Sequence, residues 1–70
     1  MTYLVATKPA EGTKRARTFQ EIQDALDYAS TTPGLVRIEY LDSREFWIFR
    51  DGVEFKGEEG QAALLEFEQE

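Results

Sequence analysis

The sequence predicts an α+β fold: a two-layer β-α-β-β-β-α domain in which a mainly antiparallel sheet carries one main helix, with residues 1–70 as a single small unit. Three observations carry that expectation. Residues 35–56, LVRIEYLDSREFWIFRDGVEFK, hold three of the five Phe, the only Trp and one of the three Tyr, and turn signals cut them into three short runs. Asp51-Gly52 stands between two of those runs and favours a tight hairpin. Phe19, Ile22, Ala25, Leu26 and Ala29 recur at helical spacing.

Thr2 to Thr7, TYLVAT, reads as a first strand in which either face can be apolar. Lys8 to Arg17, KPAEGTKRAR, reads as a basic loop broken by Pro9 and Gly12, a mobile arm or an extension of the strand into a hairpin. Gly12-Thr13-Lys14 does not make a phosphate loop, which needs two Gly at set spacing and Lys followed by Ser or Thr. The main helix is expected from Thr18 to about Ser30. Thr18 to Glu21 has the form of a capping box, and Glu21 and Asp24 suit the positive end of the helix dipole. The apolar stripe should cover the sheet, leaving Gln20, Gln23, Asp24 and Asp27 in water. Pro33 ends the helix, because it cannot donate and disfavours helical geometry at Thr32.

The remaining runs form a meander. A two-residue type I′ turn at Asp51-Gly52 pairs Arg50 with Val53, Phe49 with Glu54, Ile48 with Phe55 and Trp47 with Lys56. At the earlier turn, a three-residue loop over residues 42–44 pairs Tyr40 with Phe46 and Ile38 with Ile48, keeping charged and apolar positions apart. The expected core face is Val36, Ile38, Tyr40, Phe46, Ile48, Val53 and Phe55. Arg37, Glu39, Trp47, Phe49, Glu54 and Lys56 fall on the other face. Gly57 ends the last strand, and Glu58 to Glu70 reads as a second helix, weakened by Gly60 and fraying at its acidic C-terminal end. It docks beside the first helix or covers Trp47 and Phe49; the pattern fits both.

Formal net charge is −6, unevenly spread. Residues 8–17 set Lys8, Lys14, Arg15 and Arg17 against Glu11 alone, while residues 18–70 carry thirteen acids against four cations. Such a chain is repelled by phosphate backbones, so direct nucleic-acid binding is not expected, a basic arm of Lys14, Arg15 and Arg17 being the exception to test. It is drawn instead to basic surfaces of other proteins. Cys and His are absent, which removes thiol and imidazole chemistry. Ser30 and Ser43 lack a base, no calcium-loop pattern occurs, and no acid sits at an expected buried position, so neither an enzyme, a metal nor a cofactor is expected. No apolar run reaches membrane-span length and the N-terminus lacks a signal-peptide core, which places the expected location in the cytoplasm.

Two surfaces are left as candidates. Asp24 and Asp27 on the helix, with Glu54, Glu58 and Glu59 near the last strand, are placed to stand in for nucleic-acid phosphates on a basic partner. Trp47 and Phe49 lie among charges, with Arg37 expected to stack on Phe49, as at protein interface cores. In size, acidity, lack of catalytic side chains and strand–helix–meander order, the whole chain resembles small phage-encoded inhibitors of bacterial defence, the anti-CRISPR proteins among them. That resemblance implies a non-enzymatic inhibitor acting in the host cytoplasm on a larger protein with a basic surface. The alternative is a self-associating accessory module, a homodimer through the Trp47 and Phe49 face.

Overall fold

The computed structural model describes residues 1–9 and 11–69; Ala10 of the expected loop and Glu70 of the expected second helix lie outside them. Five strands, β1 (Tyr3–Lys8), β2 (Arg15–Phe19), β3 (Leu35–Tyr40), β4 (Phe46–Arg50) and β5 (Val53–Phe55), form one sheet in the order β2-β1-β3-β4-β5. Every neighbouring pair is antiparallel. Two helices, α1 (Ile22–Thr31) and α2 (Gly57–Glu68), complete the chain. The α+β class, the antiparallel sheet and the main helix packed on it stand as the sequence predicts.

The Asp51-Gly52 hairpin also forms as predicted. Both residues have positive φ, as a type I′ turn requires, and the ladder pairs Arg50 with Val53, Phe49 with Glu54 and Ile48 with Phe55. Lys56 lies beyond the strand. The turn is tied to the segment after α1: Asp51 N–H donates to Gly34 O at 3.0 Å, and Gly34 N–H donates to the Asp51 carboxylate at 2.8 Å. Gly52 is needed for space as well as for φ, since a Cβ there would lie 2.5 Å from Ser30 O.

The earlier turn differs by one residue. Tyr40 and Glu45 close a loop of residues 41–44: Tyr40 N–H donates to Glu45 O and Arg44 N–H to Tyr40 O, both at 2.8 Å. Arg44 takes a left-handed φ of 61° to do so. The ladder therefore pairs Ile38 with Trp47, Arg37 with Ile48 and Glu39 with Phe46. This corrects the expected core face: Val36, Ile38 and Tyr40 share a side with Trp47 and Phe49, while Phe46, Ile48 and Phe55 share the other with Arg37 and Glu39. Ile38 and Ile48 are on opposite sides, each fully buried.

Each side has its own helix, so a second layer covers the face that a two-layer arrangement would leave open. Ala25 and Ala29 of α1 pack on Tyr3, Val5, Val36, Ile38 and Phe49. Ala63 and Phe67 of α2 pack on Leu35 and Ile48, with Ala6, Phe46 and Phe55 around them. The alanines let each helix approach the sheet closely. Gly60 extends this in α2, where an added Cβ would sit 2.8 Å from Phe55 O. The α2 end expected to fray is held by Lys8, whose Nζ donates to the carbonyls of Glu66 and Gln69 at 2.8 and 2.6 Å. A cation there adds a second donor to Glu66 O, which also accepts from Gln69 N–H at 3.3 Å, and opposes the negative end of the dipole.

The basic segment is a strand in its C-terminal half. β2 pairs Leu4 with Thr18 and Tyr3 with Phe19. The predicted capping box is thereby overturned, because Thr18 and Phe19 are committed to the ladder. The cap position falls to Glu21, whose side chain makes no capping hydrogen bond. Phe19 still joins the α1 core from outside the helix, with its ring 5.5 Å from Tyr28.

Candidate functional site

The acids expected to bind a partner are divided between the layers. Asp24 and Asp27 lie exposed on the outer side of α1, with Glu21 one turn earlier. Asp24 and Asp27, three residues apart, are neighbours on the helix surface, and Glu21 stands at the N-cap before them. Gln23 Nε2 donates to Asp27 at 3.0 Å, and none of the three acids has an ion-pair partner: among the described residues the ion pair present is Arg50 with Glu66. Glu58 and Glu59 are exposed in the first turn of α2, on the opposite layer. Glu54 pairs with Phe49 and is half-buried on the α1 side. One flat partner surface therefore meets the α1 acids or the α2 acids, not both.

The aromatic candidates also separate. Phe49 is 6% exposed beneath α1 and belongs to the core. Trp47 remains half-buried at the edge of that core, its ring 6.3 Å from Tyr3. A homodimer surface built from both rings has Trp47 alone to offer. Arg37 does not stack on Phe49 as expected, because the register sets it opposite Ile48. Its guanidinium lies over Phe67 of α2, 4.9 Å from the ring centroid.

A second charged surface arises from the fold. On the α2 side, Ala16, Ala6, Arg37 and Ile48 form one row across β2, β1, β3 and β4. α2 covers the β4 end of that row and leaves the β2 end open. The opening is a groove of about 460 Å³, floored by Ala6 and Ala16 and walled by Phe67. Lys14, Arg15 and Arg37 line it, with Glu68 also present. Lys14 Nζ lies 5.2 Å from the Phe67 centroid, so two cations share one ring. Arg37 Nε is buried without a hydrogen-bond partner. An unpaired buried donor of this kind costs about 1–3 kcal/mol, more when charged. Sequence reading did flag the basic segment, but it did not place Lys14 beside Arg37. The available signal was the pair of alanines, Ala6 and Ala16, at positions where a strand face needs bulk to be filled.

Tyr40 stacks on Tyr3 with centroids 5.0 Å apart and donates its hydroxyl to the Asp42 carboxylate at 3.1 Å. Partial burial first, then that hydrogen bond and the nearby negative charge, raise its phenol above the ordinary value. Among the described residues, no group of three or more His, Cys, Asp or Glu is arranged to hold a metal ion, and no helix is long and apolar enough to cross a membrane. The chain matches no protein-family model, no curated protein and no solved structure.

Proposed function

We propose that this chain is a non-enzymatic binding domain that docks the acidic outer side of α1 on a basic surface of a larger protein. Its action there is inhibition by nucleic-acid mimicry, in the manner of phage-encoded anti-defence proteins of the anti-CRISPR kind. The observation that supports the reading is the group of Glu21, Asp24 and Asp27, exposed and without ion pairs in a chain of net charge −6. On a helix, acids three residues apart fall about 4.5 Å apart along the axis. Along a duplex axis the phosphates of one DNA strand are spaced by about 3.4 Å, so a surface that holds a strand meets a comparable charge per axial length on α1. Asp24 and Asp27 sit on a helix packed against the sheet, with Glu21 at its cap, which gives the group a fixed shape.

The test is a pull-down from bacterial lysate with the wild-type chain and the Asp24→Lys/Asp27→Lys variant as baits, followed by salt elution. Both positions are exposed, so the variant keeps the core. The expected result is a basic protein captured by the wild type, released by added salt, and held about tenfold or more weakly by the variant. Capture that ignores both salt and charge reversal contradicts mimicry. Self-association through Trp47 is the competing account; a dimer in sedimentation that Trp47→Ala dissociates would replace the proposal.

A further inference from the structure

We propose that the groove between β2 and the C-terminal end of α2 binds a small molecule carrying an oxyanion, phosphate or carboxylate, on an apolar body. The proposal is independent of the acidic α1 surface, which lies on the other side of the sheet. Arg37 is its centre. It stands on β3, the middle strand, and its Nε–H is buried without an acceptor. The chain has fourteen acids, yet among the described residues none forms an ion pair with Arg37, Lys14 or Arg15. Glu39, two residues along β3 on the same side, and Glu68, at the groove itself, are both outside ion-pair distance of them.

Cations gathered around one ring repel each other, and an anion between them relieves that repulsion. A guanidinium offers planar paired donors that match the two oxygens of a carboxylate or phosphate, and Lys14 adds a point charge. The apolar body has its own place. Ala6 and Ala16 leave the floor low, and the Phe67 ring forms a wall. Phe67 is the residue before the last of α2, so the ring stacked on Arg37 stands at the helix end, beside the groove. Glu68 sets a limit on affinity, since its carboxylate opposes any anion at the same opening.

The experiment follows backbone amides and arginine Nε–H signals by NMR while phenyl phosphate, benzoate or inorganic phosphate is added. Saturable shifts are expected at Arg37 Nε–H, Ala6 and Ala16, with phenyl phosphate binding more tightly than inorganic phosphate. A preference for phenyl phosphate or for benzoate assigns the head group. Lys14→Met, on an exposed segment, and Arg37→Met, which keeps the stem under Phe67, should each weaken binding roughly tenfold or more. Glu68→Gln should strengthen it. Unsaturable drift shared by all cationic residues, or shifts that survive Arg37→Met and Lys14→Met, would overturn the site.

Discussion

The two sides of the sheet are built on different terms. Under α1 the core is apolar: Val5, Ala25, Ala29, Val36 and Ile38 are fully buried, Thr7 is the buried polar residue among the described residues, and Arg17 touches the margin, its guanidinium 5.0 and 5.1 Å from the Phe19 and Tyr28 centroids. Under α2 the core is smaller, and an arginine of the central strand lies at its margin beneath Phe67. There the helix end depends on cations reaching from the sheet. Lys8 holds the last carbonyls, and Arg50 pairs with Glu66. That exposed ion pair contributes little, roughly 0–1 kcal/mol. The difference teaches that one sheet can support an apolar layer that fixes the fold and a partly charged layer with an open groove at its margin.

The comparison can be broken by substitution, beginning with the apolar side. Ile38→Ala removes a fully buried side chain and should cost about 2–5 kcal/mol, measured as a fall in the denaturant midpoint. That is a large share of what a chain of this size has, so partial unfolding at room temperature is expected. A loss below 1 kcal/mol would mean that the α1 layer is loosely packed. Lys8→Met should have a smaller and local effect of about 1 kcal/mol. Faster amide exchange is expected in the last turn of α2, with α1 amides unchanged. Uniform loss of protection would show that the two layers melt as one.

The smallest effect concerns the Tyr40 rim of the α1 side. Its phenol is raised above 10.0, so the folded state favours the neutral form. The stabilisation is fully present below the ordinary phenol value and is lost as pH rises through the raised one. Asp42→Asn should lower the Tyr40 midpoint, read from phenolate absorbance. An unchanged midpoint would remove the hydrogen bond from the account.

The sequence was legible where local chemistry allows one answer. Asp51-Gly52 permits a type I′ turn, and the pairing followed from it. The α1 stripe also followed, because Ile22, Ala25, Leu26 and Ala29 have no other apolar arrangement. The register of β3 on β4 was not legible. Phe46 to Phe49 is apolar on both sides, so the pattern accepts either pairing, and the choice fell to Arg44 entering the left-handed region. That run of four is what a strand covered on both faces looks like, as the helix on each side shows. β2 was half legible: the hairpin extension of the first strand was one of two readings and is the one that forms, but Arg15, Ala16, Arg17 and Thr18 are all exposed and show no alternation of apolar with polar to choose it. The groove was not legible, since Lys14 meets Phe67 only through the packing of α2 on the sheet.

The most direct measurement is methyl NOE spectroscopy on isoleucine- and alanine-labelled protein. The account predicts contacts from Ile38 to Ala25 and Ala29, and from Ile48 to Ala63 and the Phe67 ring. Finding both isoleucines in contact with α1 would contradict it, along with the separation of the acidic surface from the basic groove.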